Sequence, residues 1–247
     1  MSRWIPLESN PELFNKWAHQ AGLLESDAEF QDIYGLDDEL LDLVATPVKA
    51  VILLFPIRGK LEVLRQEEEE KIKEKGQVPI DPTVFWIKQT ISNACGTIGL
   101  LHALINSEVV YEPDSPITKF IDSCQDKTPL ERAKFLESED LFANIHAAAA
   151  ASGQTAVPKD LDTDLHFTCF VQAPEASARE AETPTGERRL IELDGGRAGP
   201  VDRGKSTDLL KDVAKYVKEQ IFAKAPSSEF CMIALAGGFP EGGSGGV

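Results

Sequence analysis

Residues 89–104, reading QTISNACGTIGLLHAL, constrain this chain more than any other stretch. The first part suits extended backbone, and the run turns into a helix at Asn93, Ala94 and Cys95. From Ala94 to Ile105 every residue is apolar or small apart from Thr97 and His102. A helix that is apolar on nearly every face belongs at the centre of a fold. Cys95 falls in its first turn, where free backbone N–H groups and the positive end of the helix dipole favour a thiolate. The thiolate is the nucleophilic form, so a cysteine enzyme would place its sulfur here. A small core residue would fit the same position, as most free cysteines do. The stretch by itself leaves both readings open.

The chain has 247 residues, enough for one large domain or two small ones, and 42% of them are hydrophobic, which supports a packed core. The four cysteines have no paired spacing, and histidines 19, 102, 146 and 166 are scattered. Neither a disulfide framework nor a metal site is expected, and no cofactor is implied. No apolar run follows Met1, and none approaches the length of a membrane span. A cytoplasmic protein, with the nucleus as a second compartment, is therefore expected. The net charge of −16 repels phosphates, which disfavours nucleic acid and favours a partner with a basic patch.

Periodicity and capping signals place the elements. Asn10 and Pro11 start a helix that carries Leu13, Phe14, Trp17 and Ala21 on one face and stops at Gly22. Residues 29–34 alternate like a strand, 37–43 read as a short acidic helix, and 48–55 as a central strand closed by Pro56. The charge run 66–75 reads as a solvated helix or loop. Helices are expected from Ser115, from Thr128 in a capping box with Glu131, and over 138–151. Strands follow at 166–172, 189–194 and 230–235, with an amphipathic helix over 207–224. Residues 173–187 read as an exposed insertion, and 237–247 as a Gly-rich tail. Without a repeat or a clean linker, strands flanking a helical middle suggest one α/β or α+β domain.

A cysteine nucleophile needs a base, a group to orient that base, and a donor for the oxyanion. His19 lies on the first helix and His146 borders an alanine run, so both are expected at the surface. His102 is seven residues beyond Cys95 on one helix, about 10 Å of rise and out of hydrogen-bonding reach. His166 remains, at the start of a strand after a loop, where functional residues often sit. It would equally serve as a plain strand-edge histidine. Asp194 reads as a turn aspartate before glycine, yet two adjacent antiparallel strands would bring it beside His166. Gln89, six residues before Cys95, offers a side-chain amide to an oxyanion.

The stretch from Gln89 to Ala103 strongly resembles the active-site signature of the ubiquitin C-terminal hydrolases, a family of papain-like cysteine peptidases. The resemblance continues in order through residues 3–12, Leu53-Leu-Phe-Pro, Glu67-Glu-Glu-Glu-Lys-Ile-Lys, Asp164-Leu-His-Phe and Glu192-Leu-Asp-Gly, and is nearest to the short single-domain isozymes. It implies an α+β papain-like fold over residues 1–236: a central antiparallel sheet flanked by helices on both sides, a knotted backbone, and an active-site crossover loop over roughly 146–160. It implies that Cys95 is the nucleophile, His166 the general base and then acid, Asp194 its orienter, and Gln89 the oxyanion stabiliser with the Cys95 N–H. It further implies a thiol hydrolase acting at the C-terminal glycine of ubiquitin, in some members also NEDD8, as part of ubiquitin recycling, and a monomer.

By position, Pro6, Leu7, Glu8, Ser9, Asn10 and Pro11 would form one wall of the ubiquitin groove. Ala150, Ala151, Ser152, Gly153, Gln154 and Thr155 would stand opposite, and Glu8, Glu12 and Asp32 are candidate acidic contacts for the arginines of the ubiquitin tail. The family's usual connection between the His166 and Asp194 strands is tight, so residues 173–187 are a departure. Two rivals stand beside the enzyme: a ubiquitin-binding protein with little turnover, and an unrelated Cys–His–Asp acyl transferase.

Overall fold

The structure is a computed structural model that describes residues 4–153, 161–176 and 186–237. Its centre is a six-stranded antiparallel sheet, ordered β1-β6-β2-β3-β4-β5. The strands are β1 (Glu29–Asp32), β2 (Val48–Pro56), β3 (Leu165–Pro174), β4 (Arg188–Leu193), β5 (Val201–Ser206) and β6 (Cys231–Ala236). Side chains alternate between the faces of a strand, and here both sets are apolar because both faces are covered. On β2, Ala50 and Ile52 enter one core while Val51, Leu53 and Phe55 enter the other. β6 divides the same way, with Ile233 and Leu235 against Met232, Ala234 and Ala236.

The larger core lies under α1 (Pro11–Ala21), α4 (Cys95–Ile105), α5 (Pro116–Cys124), α6 (Pro129–Ser138) and α7 (Asp140–Ala151). The smaller lies under α2 (Asp38–Leu41), α3 (Lys60–Lys75) and α8 (Leu209–Tyr216), which continues as a π-helical turn over Val217–Phe222. α4 is buried from Cys95 to Leu104, as its composition requires, and packs on β2 and β3. The expected fold class, an α+β domain with helices on both faces of an antiparallel sheet, therefore holds.

The caps read from sequence are in place. Asn10 Oδ1 accepts the Glu12 N–H at 2.9 Å, and Thr128 and Glu131 form the reciprocal capping box of α6. Three expectations change, and one strand was not foreseen. Residues 138–151 are not one helix, because Glu139 is extended and separates α6 from α7. The charge run belongs to α3, but it is not wholly solvated: Glu68 pairs with Arg197 and Arg203. β5, reading VDRGKS, has no apolar alternation that sequence could reveal, and its charged residues pair with neighbours. The 173–187 insertion is shorter than expected, since the β3–β4 ladder runs on through Ala173↔Arg189 and Pro174↔Arg188, and Glu175 N–H donates to Glu187 O at 3.1 Å. The rest of that segment, and the tail beyond Gly237, lie outside the described residues.

One glycine couples two helices. Gly22 ends α1 in the left-handed region at φ +117°, and a Cβ there would overlap Ser115, the N-cap of α5. Gly76 ends α3 at φ +74° in open space. Gly22→Ala is expected to lower the unfolding free energy by about 2–4 kcal/mol, from backbone strain plus overpacking, and Gly76→Ala by only about 1 kcal/mol. Urea unfolding of the two variants makes the comparison. Equal losses would mean that α1 and α5 move apart freely.

Candidate active site

The β3–β4 pairing builds half of the site. β3 begins beside the loop end of β2, where Phe55 pairs with His166, and β4 ends at Leu193, opposite Cys169. Asp194 follows directly, so the two polar side chains meet at the rim of the sheet. His166 Nε2–H donates to Asp194 Oδ1 at 2.6 Å, and the imidazole also hydrogen-bonds the Cys95 side chain. Asp194 is fully buried, and its Oδ1 also accepts the Gly196 N–H at 2.7 Å.

α4 brings Cys95 to this pair from the larger core. Cys95 is the first helical residue, and its N-cap, Ala94, has no side chain to occupy the free N–H groups. Burial alone would push the thiol up. Hydrogen bonding and charge from His166, with a further hydrogen bond from the Phe167 backbone, outweigh it and lower the Cys95 pKa. Burial works against the imidazolium too, yet the Asp194 charge and hydrogen bond, reinforced by Cys95, push His166 up to about 10. The two shifts describe one thiolate–imidazolium pair oriented by a carboxylate. By contrast, burial in the core raises the Cys169 pKa.

Gln89 lies on the extended segment between the two halves. Its backbone N–H donates to Gly195 O at 2.8 Å, and its Nε2 donates to Ile91 O at 3.2 Å. An amide carries two N–H donors, so a second remains for an oxyanion. The segment is fixed from several directions. Trp86 Nε1–H donates to Asp194 O at 3.1 Å, Lys88 Nζ donates to Gly196 O and Arg197 O, and Asn106 holds both polar backbone groups of Phe85. His102 belongs to the same scaffold. Its Nε2 accepts the Ile87 N–H at 2.9 Å and its Nδ1–H donates to Leu193 O at 3.3 Å. Its distance from Cys95 along α4 excluded it as the base, and the structure gives it this bridging place instead.

Behind Asp194 lies a group of charges that sequence reasoning missed. Arg65 of α3 pairs with Asp194 Oδ2 and lies 3.5 Å from Glu192 Oε1. Glu192 is buried and held at about pKa 2: burial opposes ionisation, but Arg203, Arg197 and Arg65 prevail. Glu68, one turn beyond Arg65, pairs with Arg197 and Arg203. The signal was present as Arg65 and Glu68 at helical spacing, at the start of a charge run that suits solvent equally well.

His146 is a correction. It is 2% exposed rather than a surface residue. Its Nε2–H donates to Ile5 O at 2.7 Å, its Nδ1 pairs with Thr97 Oγ1 at 2.9 Å, and its ring lies 4.3 Å from that of Trp4. The expected groove residues divide. Leu7 is buried, packed on Gly96 in the first turn of α4, and Ala150 is buried within α7. Asn10 caps α1 and Pro11 opens it. Pro6, Glu8 and Ser9 are half-buried, Ala151 and Ser152 are exposed, and Glu8 lies against Gly153. Glu12 is exposed and Asp32 half-buried. The start of the expected crossover loop, residues 146–151, is helical, while Gln154 and Thr155 lie outside the described residues.

Two measurements test this electrostatic reading. Iodoacetamide near pH 7 is expected to alkylate Cys95 well before Cys169 in the folded protein, and His166→Gln should slow that reaction; peptide mass mapping reads both. Burial holds His102 and His146 neutral, down to about pKa 4. The unfolded chain, with histidine pKa values of about 6.5, takes up these protons first. The stability they contribute is therefore full above about pH 6.5 and lost as pH falls towards 4. The urea midpoint should decline from pH 6.5 to 4.5, above the window of the depressed Glu192. A level midpoint would contradict two buried neutral imidazoles.

Comparison with known proteins places this geometry. Residues 4–222 match the family described as ubiquitin carboxyl-terminal hydrolase, family 1. The chain is 42% identical over 238 residues to ubiquitin carboxyl-terminal hydrolase 3 of Arabidopsis thaliana, covering 95% of this chain and 94% of that one. It is 34% identical over 234 residues to the human isozyme L1, covering 93% and 96%. In fold it is similar to the Trichinella spiralis UCH37 catalytic domain, solved bound to ubiquitin vinyl methyl ester, with a TM-score of 0.68, 23% identity and 96% of each chain covered. A buried helix that opens on a cysteine, a histidine and an aspartate from adjacent strands, and these matches along nearly the whole chain lead to one conclusion: the chain belongs to the ubiquitin carboxyl-terminal hydrolase family.

Proposed function

We propose that this protein is a cysteine-type hydrolase that cleaves small adducts or peptides from the C-terminal glycine of ubiquitin. The observation that carries the reading is the convergence of Cys95, His166 and Asp194 in a member of this family. The Cys95 thiolate attacks the glycine carbonyl carbon, forming a C–S bond and moving the carbonyl electron pair onto oxygen. Gln89 and the Cys95 N–H stabilise that oxyanion. The imidazolium of His166 gives its proton to the leaving amine as the C–N bond breaks, leaving a thioester on Cys95. Water then attacks the thioester with His166 as general base. The carboxylic acid departs, the proton returns to the His166–Cys95 pair, and Asp194 holds the imidazole tautomer throughout.

The charge of −16 suits a substrate whose reacting tail is basic. Among the described positions, Pro6, Glu8, Ser9, Asn10, Pro11, Ala151, Ser152 and Gly153 are half-buried or exposed and can contact it. A crossover loop continuing past Gly153 would favour thin leaving groups. NEDD8 is the second substrate to try, and ubiquitin-dependent protein turnover the process this reaction would serve.

The decisive assay uses ubiquitin carrying a fluorogenic amide at its C-terminus. Wild type should release the fluorophore and Cys95→Ala should not. Tight binding without turnover by either would favour the binding-protein reading, and indifference to ubiquitin would reject both. Gln89→Ala is expected to lower kcat by about 10²–10³. Asp194→Asn should lower kcat with ubiquitin affinity little changed; a pure rise in KM would mean that Asp194 serves binding instead.

A further inference from the structure

Asp194 is a buried carboxylate with two oxygens, and the catalytic reading uses only one of them. Oδ1 accepts from His166 Nε2 and from the Gly196 N–H. Oδ2 faces away from the histidine and pairs with the Arg65 guanidinium. That side chain is itself held. It is 16% exposed, lies 3.5 Å from Glu192 Oε1, and stacks its guanidinium 5.5 Å from the centroid of the Phe55 ring. Its three neighbours come from β2, β4 and the turn after β4, and Arg65 joins them from α3. We propose that Arg65 is a positioning residue for the reaction: it fixes the plane of the Asp194 carboxylate and offsets part of the aspartate's charge at His166. This rests on the Cys95–His166–Asp194 reading given above.

Two physical effects follow. A buried carboxylate with one oxygen unpaired would turn or draw in water, and the Nε2–H bond that orients the imidazole would go with it. A planar guanidinium that spans Asp194 and Glu192 prevents this more firmly than a point charge would. The second effect concerns proton affinity. Asp194 favours the imidazolium, yet catalysis needs His166 to release its proton to the leaving amine in every turnover. A positive charge on the far side of Asp194 weakens that bias, so Arg65 makes the proton easier to release.

The other charges around the pair do not replace it. On α4, Cys95 faces His166, and His102 is held neutral by burial. From α8, Tyr216 senses Arg65, and burial keeps its phenol neutral. Arg197 and Arg203 are engaged with Glu192 and Glu68. Of the described cations, only Arg65 and His166 pair with the Asp194 carboxylate.

The test compares Arg65→Met, which keeps an apolar stem over Phe55, with Arg65→Lys, which keeps the charge. Two readouts are needed: the pH profile of kcat/KM on ubiquitin carrying a C-terminal fluorogenic amide, and the titration of the His166 imidazole by NMR without substrate. Arg65→Met should lower kcat by about tenfold or more, with KM within about twofold. It should also move the alkaline limb and the His166 titration upward by about half a pH unit or more, as expected for a unit charge lost several ångströms away at an effective dielectric constant of about 20. Arg65→Lys should restore the titration and part of kcat. An unmoved or lowered His166 titration in a folded Arg65→Met protein would overturn the proposal, whatever happens to kcat. So would a lysine variant no better than methionine. If wild type fails to hydrolyse the ubiquitin substrate, the proposed function falls, while the NMR titration still judges Arg65.

Discussion

A buried negative charge that lacks partners is among the most expensive features a fold can contain. Asp194 has no exposed side-chain surface, and the architecture around it is the answer to that constraint. The β3–β4 ladder sets His166 on one oxygen, and α3 sets Arg65 on the other. Because α4 and α3 cover opposite faces of the sheet, the site lies where both layers meet at the sheet's rim. Neither layer could supply the constellation alone. The nucleophile comes from one core, the second cation from the other, and the acid–base pair from the sheet between them.

α4 is the fixed point of the larger core. Its burial from Cys95 to Leu104 leaves little freedom to slide, so the sulfur's position is set by packing rather than by a cap. Asn93 makes the entry possible. It takes the left-handed conformation at φ 63°, which asparagine tolerates better than most residues, and so turns extended chain into helix just before the nucleophile. The same side chain donates to Trp4 O and Leu161 O. The residue that aims Cys95 therefore also ties down the N-terminal segment and the chain leading into β3.

Local signals in the sequence made the buried helix and the helix starts legible, while the α+β class and the catalytic roles came from the family resemblance. A run that is apolar all round can only be central, and Asn10, Pro11, Thr128 and Glu131 fix helix starts by chemistry that needs no tertiary context. Adjacent antiparallel strands allowed His166 and Asp194 to meet, but the resemblance, not the spacing, singled the pair out. What stayed hidden was polar and long-range. β5 is an edge strand of charged and small residues, so periodicity is silent there. Arg65 and Glu68 look like solvent-facing charges until the acids and arginines of β4 and β5, more than 100 positions away, are seen opposite them. His146 beside five alanines gave no hint that Ile5 and Thr97 would satisfy both its nitrogens. The burial of Leu7 and Ala150 was hidden for a related reason: position along the chain marks a neighbourhood, whereas packing decides which side chains in it face outward.

The N-terminal segment shows how binding and chemistry share supports. Trp4 N–H donates to Ser92 O and Trp4 O accepts from Asn93, so the segment is bonded to the two residues that lead into the nucleophile helix. Ile5 is held by His146, Leu7 packs on Gly96, and Glu8 lies against Gly153. Each contact joins the segment to α4 or to α7, two helices that His146 and Thr97 also join directly. A substrate tail lying along this segment would touch a wall built from the same backbone that sets the Cys95 sulfur. A shift of that wall would then displace the nucleophile by a comparable amount, and close-packed neighbours such as Leu7 and Gly96 transmit such shifts rather than absorb them. His146 and Asn93 thus bind the N-terminal segment and the nucleophile helix into one body.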